Sequence, residues 1–283
     1  MKRIFKFIVL GSCLLLLSTA CDKIEENEYI VYAGAAGTWY DDSETIDATQ
    51  RAMVEKYTGV RCKNCPTADE VIHAAQQHYG SRLVAVAVHP KGSNYTIPYS
   101  GEPDLATEDG QLWNEAFGFS AYPQALLSRQ GESFVPTANF DSRIDAVLNS
   151  SPNVALAVGC QRNSGDDSLT ITVHLAFLQQ VSEELNITLL ISEDGIVTTQ
   201  KMPDGSDATG YVQNHVLRDV ITDTWGAEVD KGTANGASGS KRIAQFVYLP
   251  LSEWNLSQCH IVAFVSNRST REILNVAECS IEE

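Results

Sequence analysis

Apolar residues change their spacing three times along this chain, and each change predicts a different kind of element. A nearly unbroken apolar run, residues 7–17, is interrupted only by Gly11 and Ser12. From about residue 48, short apolar strands alternate with helical patterns. Residues 51–57 predict a strand ended by Thr58-Gly59. Residues 66–79 predict a helix: Pro66 suits its first turn, Asp69 and Glu70 suit its positive end, and Val71, Ile72, Ala75 and Tyr79 share one face. Gly80 stops it. The run over 83–88 is wholly apolar and rich in valine, the mark of a strand buried on both faces in a parallel sheet. A polar loop over 90–104 leads to a second helix over 107–117, a strand over 124–128 and a third helix over 140–148. This alternation predicts an α/β domain over residues 46–150.

Ser150-Ser151-Pro152-Asn153 marks a boundary, and the period then becomes that of strands alone. Residues 154–161, 169–178, 185–192, 242–249, 259–265 and 273–281 all predict strands separated by turn residues. The expected architecture over 153–283 is an all-β sandwich. Residues 200–240, rich in Gly, Asp, Ser and Thr, are expected to form a long excursion with one short element at 212–221. A further short strand is expected at 29–32.

The first apolar run carries a second message. It follows the basic stretch Lys2-Arg3-Ile4-Phe5-Lys6 and ends in Ser18-Thr19-Ala20-Cys21. Basic, apolar, small is the order of a secretory signal, and the run is shorter than the ~20 apolar residues that span a bilayer. Leu17 to Cys21 resembles a lipobox, although its leucine stands one place farther from the cysteine than usual. The expectation is a signal peptide over 1–20, lipid on Cys21, and an acidic tether and linker over 21–45. The membrane is then met through the lipid alone, at the outer membrane, on its periplasmic or its outer side. Several acyl chains anchor firmly where one holds weakly.

Charge narrows the partners. The chain of 283 residues has 20 Lys and Arg against 36 Asp and Glu. The signal carries Lys2, Arg3 and Lys6 and no acid, so 17 bases and 36 acids remain, a mature charge of −19. Such a balance repels nucleic acid and anionic headgroups. The acids are spread along the chain, as on a solvated surface.

Five cysteines remain beyond Cys21: Cys62, Cys65, Cys160, Cys259 and Cys279. Exported compartments permit disulfides. Cys62-Lys63-Asn64-Cys65 lies between a predicted strand and a predicted helix, the C-x-x-C context of a thioredoxin-like domain. A cysteine at a helix N-terminus feels the positive end of the dipole, which favours thiolate. Cys62 is the expected exposed nucleophile and Cys65 the resolving thiol. Arg61 and Lys63 flank Cys62 and could each favour its thiolate by roughly 1 kcal/mol. Against this, Pro66 disfavours helical dihedrals at Cys65, so the helix is expected to start late and to leave Cys62 farther from the dipole. Pro123 opens a strand about 60 residues on, where thioredoxin-like proteins keep a cis-proline, and Tyr122-Pro123 is expected to be cis and to present backbone to a substrate peptide. Cys259 and Cys279 face each other if their strands form a hairpin centred near Ser269, a candidate structural disulfide that Cys160 could replace from either side.

The resemblance is wider than the C-x-x-C. Glu55-Lys56-Tyr57-Thr58-Gly59-Val60-Arg61-Cys62-Lys63-Asn64-Cys65-Pro66, Phe117-Gly118-Phe119-Ser120-Ala121-Tyr122-Pro123, Asn214-His215-Val216-Leu217-Arg218 and Ile261-Val262-Ala263-Phe264-Val265 resemble the signature of the Bacteroidetes lipoproteins related to outer membrane protein 28. The resemblance implies a thioredoxin-like domain followed by a C-terminal β-domain at the outer membrane, and it brings no settled activity. In such lipoproteins acidic residues after the cysteine, here Asp22 to Glu28, resemble a signal for export to the surface.

Three functions compete. One is a thiol–disulfide oxidoreductase acting on exported cysteine-containing proteins. The second is a binding module with a static Cys62–Cys65 disulfide and a surface partner, glycan or protein. The third is a Cu(I) carrier that adds His89 to the two cysteines. No cofactor is expected, and zinc lacks a second close Cys or His pair. His73, His78, His174, His215 and His260 show no ligand spacing.

Overall fold

The computed structural model describes residues 37–137 and 140–282. The signal peptide, Cys21, most of the tether and the strand expected at 29–32 lie outside the described residues.

Apolar β-branched runs become fully buried strands. β1 (Trp39–Asp41) was not expected; β2 (Ala52–Tyr57), α1 (Cys65–Tyr79), β3 (Leu83–Val88), α2 (Glu108–Phe117), β4 (Gln124–Leu127) and α3 (Phe140–Leu148) follow in the predicted order. Every residue of β2 and β3 is buried. They pair in parallel from Ala52↔Leu83 to Tyr57↔Val88, and β4 runs antiparallel on the other side of β2. α2 starts where the Thr107 hydroxyl accepts the Gly110 N–H and ends at Gly118 in the left-handed region. α1 and α3 bury Ile72, Ala75 and Ile144 against Val54, Ala85 and Leu127.

The second half is strands: β5 (Val154–Arg162), β6 (Leu169–Phe177), β7 (Leu185–Glu193), β8 (Ile196–Lys201), β9 (Asp207–Gln213), β10 (Val216–Val220), β11 (Ala227–Glu228), β12 (Lys241–Tyr248), β13 (Cys259–Asn267) and β14 (Ile273–Ser280). A four-stranded sheet in the order β1-β12-β6-β5 packs Val173, Leu175 and Phe246 against Leu189, Ile191 and Ile261 of the sheet that contains β7 and β13. Alternating burial along β12 is the half-solvated pattern of a sandwich face.

That second sheet does not stop at residues 150–153. Its order is β14-β13-β7-β10-β3-β2-β4, so one sheet runs through both halves of the chain. β10 is the joint: it is antiparallel to β7 and parallel to β3, where Val216 faces Ala87. Its sequence, Val-Leu-Arg-Asp-Val, is short and charged, and only its place between two buried strands makes it one. The fold is therefore mixed α/β, mostly sheet, with the excursion expected over 200–240 supplying β9, which pairs with β8 just before it, and the strand that joins the halves.

Cys259 and Cys279 require a correction. Both are free thiols, as is Cys160. In the β13–β14 hairpin Ile261 faces Cys279 and His260 faces Ser280, so Cys259 lies one step past the last pair. The hairpin is centred between Ser269 and Thr270 beside the turn, where Ser266 faces Ile273, and on Thr270 beyond the register shift, where Val265 faces Asn275, so its centre is nowhere Ser269, and one position of centre displaces a facing partner by two residues. Burial pushes all three thiols up to about 12.

Candidate functional site

Cys62 and Cys65 are joined, with their Cα atoms 5.4 Å apart. α1 starts at Cys65 with Asn64 at its N-cap and Pro66 in its first turn, so the residue before the proline is already helical and the helix begins one position earlier than expected. Cys62 stands before the helix. It is 2% exposed and Cys65 1%, so neither sulfur offers the open face expected of a nucleophile.

Two segments close over the pair and a third reaches it indirectly. The loop over 90–104 is the first. The Arg61 N–H donates to the Tyr95 carbonyl at 2.9 Å. The Arg61 guanidinium donates to the carbonyls of Ile97 (2.7 Å) and Pro98 (3.0 Å) and lies 4.2 Å from the centre of the Tyr99 ring. Its charge is spent on that loop, while Lys63 is exposed to solvent. Glycine at position 59 permits this approach: a Cβ there would stand 2.3 Å from the Tyr95 carbonyl oxygen. Gly59→Ala is therefore expected to force the loop outward, to cost about 1–3 kcal/mol, and to speed reduction of the disulfide by dithiothreitol. Urea unfolding and mass-tagged alkylation would measure the two effects, and an unchanged reduction rate would count against this account of the closure.

The hairpin β8–β9 is the second segment. The Lys201 N–H donates to the Val60 carbonyl at 2.8 Å. The Gln200 amide donates to the carbonyls of Cys62 (3.1 Å) and Gly59 (3.3 Å), and its own oxygen accepts from the Gln213 amide at 2.9 Å. Both glutamines are buried. The third segment is Tyr122-Pro123, whose peptide bond is cis. Tyr122 reaches the motif through Tyr95, with ring centres 5.4 Å apart, and its hydroxyl donates to Asn114 at 2.9 Å.

The sequence pointed to the cysteines, Arg61, Lys63, Tyr122 and Pro123 but not to Gln200, Gln213 or the loop carbonyls. Gln200 stands 138 positions from Cys62, in a stretch with no strong period, and no local signal marks it. His89 is 1% exposed, and neither ring nitrogen has a hydrogen-bond partner among the described residues. Burial, helped by the charges of Lys56 and Arg218, pushes it down to about 3. Among the described residues no group of three or more His, Cys, Asp or Glu is placed to hold a metal ion.

Among solved structures the chain resembles HBP35 of Porphyromonas gingivalis, with a TM-score of 0.63 at 18% identity over 84% of this chain and 77% of that one. It also resembles protein AGR_C_4864 from Agrobacterium tumefaciens, with a TM-score of 0.51 at 20% identity over 84% of this chain and 95% of that one. At these identities the likeness is one of fold. No curated protein matches the chain. No described helix is long and apolar enough to cross a membrane. The family described as Outer membrane protein Omp28 matches residues 111–283. With more than half of its length matched, the chain belongs to the Omp28 family of outer membrane proteins, which sets it in the cell envelope.

Proposed function

We propose that this is a lipid-anchored interaction module of the outer membrane, built on a thioredoxin-like frame whose Cys62–Cys65 disulfide is a protected crosslink. The burial of both sulfurs carries this reading. Thiol–disulfide exchange needs an incoming thiolate to reach a sulfur, and reactive cysteines are partly exposed and electropositive in setting. Here the sulfurs are roofed and the nearest guanidinium is turned away. A disulfide closing so short a loop contributes on the order of 2 kcal/mol by loop entropy, a fitting role for a bond that ties the Gly59–Cys62 turn to the start of α1.

The oxidoreductase reading keeps one support. The parallel pair β2–β3, the helix that starts at Cys65, the antiparallel β4 after a cis-proline, and the closing helix α3 are the element order of thioredoxin-like proteins. One experiment decides between them: insulin reduction and scrambled-ribonuclease turnover by the full protein, with Cys62→Ser as control. The expected result is no turnover above the control. Turnover lost in Cys62→Ser would restore exported cysteine-containing proteins as substrates.

A further inference from the structure

A cleft of about 260 Å³ lies between α1 and the end of β9 with the segment that links it to β10. Asp69, Glu70, His73 and Gln76 of α1 line one wall, and Tyr211 and His215 line the other. Cys65, Asp69, His73 and Gln76 recur at the spacing of one helical face, so the cleft runs along the helix that the disulfide pins.

Its far wall is rigid. The His215 carbonyl accepts the Ala87 N–H at 2.7 Å, which fixes the wall to β3. The His215 N–H donates to Asp194 at 2.6 Å, and its Nδ1 lies 3.3 Å from the same carboxylate, leaving Nε2 for the cleft. The Asn214 oxygen accepts the Gly195 N–H at 3.0 Å, leaving its amide nitrogen uncommitted to that bond. Between the walls the Tyr211 hydroxyl donates to Asp69 at 3.2 Å, and Asp69 forms an ion pair with Lys56, whose side chain is 5% exposed. Glu70 and Gln76 make no side-chain hydrogen bond to any described residue. A buried lysine costs folding free energy even when paired, and a titratable pair backing a cleft is the usual company of a binding site.

The lining selects the ligand's chemistry. Among the described residues no Lys or Arg lines the cleft, and Lys56 is buried and paired with Asp69. Phosphate and carboxylate ligands therefore find no free cation. The acids present do not form a metal group. What remains is a mixed set: carboxylate acceptors, amides that both donate and accept, imidazoles, and one aromatic ring. Vicinal hydroxyls, each a donor and an acceptor, match such a set. The volume is just under the ~300 Å³ of small ligand clefts, room for one sugar ring and a substituent.

We propose that this cleft binds a saccharide, which deepens the interaction-module reading and rests on it. The test uses the full protein in detergent, titrated with methyl glycosides of glucose, galactose and mannose and with N-acetylglucosamine and N-acetylgalactosamine. Binding is read by saturation-transfer NMR and calorimetry. At least one sugar is expected to bind in the millimolar range. The pair Glu70→Ala and Gln76→Ala, neither of which removes a side-chain hydrogen bond among the described residues, is expected to weaken it at least tenfold. Tyr211→Phe, which keeps the ring, is expected to weaken it less. No sugar binding, or binding indifferent to Glu70 and Gln76, would overturn the proposal, as would spermidine binding in place of every sugar. Sugar binding by a protein that also turns over insulin would overturn the inert-disulfide reading and leave the cleft standing. An inert disulfide with no sugar bound would sink the cleft alone.

Discussion

Arg129→Met is expected to destabilise the protein by about 3–5 kcal/mol, because it leaves the Glu55 carboxylate buried without its partner. Glu55 is fully buried and Arg129 is 6% exposed. The guanidinium grips both carboxylate oxygens, at 2.8 and 2.7 Å. It lies 4.8 Å from the ring centre of Trp113 and 5.0 Å from that of Phe264. Glu55 comes from β2, Trp113 from α2 and Phe264 from β13, so the pair sits where the two halves of the chain share a core. A change at this point is expected to unfold both halves together. The double variant Glu55→Leu with Arg129→Met is expected to recover most of the loss, since an apolar replacement of both partners avoids the stranded charge. Urea unfolding followed by tryptophan fluorescence gives the three free energies. A single variant within about 1 kcal/mol of the parent would show that water reaches Glu55.

Local pattern made the elements legible and left their assembly hidden. The run at 83–88 announced a doubly buried strand because six apolar residues in a row suit no solvated face, and β3 is buried throughout. β9 is largely exposed and β10 carries Arg218 and Asp219, so neither shows a buried strand's pattern. Joining the halves needs the pairing of Val216 with Ala87, distant in sequence, and no spacing rule reports such a contact. The C-x-x-C was legible as a pair at a helix start, although α1 takes in Cys65 in spite of Pro66. Its closure was not, because Gly59, Gln200 and Tyr95 come from three separate segments. The Cys259–Cys279 pairing failed for a smaller reason: the turn is centred half a position beyond Ser269 and one irregularity adds another half, both invisible in sequence, so Ile261 stands opposite Cys279. His73 and His215 have no common spacing and meet only across the cleft.

Acid is expected to weaken the fold through one residue more than any other, His89. Its imidazole is 1% exposed, makes no hydrogen bond of good geometry with any described residue, and is pushed down to about 3 by burial and then by the Lys56 and Arg218 charges, against the weak pull of the nearby Ala87 carbonyl. In the unfolded chain it titrates near 6.5. The unfolded state therefore takes up the proton first, and stability present above pH 6.5 is lost as the pH falls toward 3. Between pH 6.5 and pH 4 this amounts to about 3 kcal/mol, at ~1.4 kcal/mol per pH unit. His89→Leu removes the titration and two buried nitrogens that hold no bond, and roughly conserves volume. It is expected to leave stability at pH 7 equal or higher, and to flatten the acid limb by that same amount. Asp194, held low by His260 and His215 against the desolvation of its carboxylate, contributes an acid loss of its own. It is present in both proteins, so the difference between their urea midpoints from pH 7 to pH 4 isolates His89. Parallel profiles would mean that the imidazole accepts its proton inside the fold, which requires water or a ligand at its nitrogens and would turn attention back to what that buried ring is there to hold.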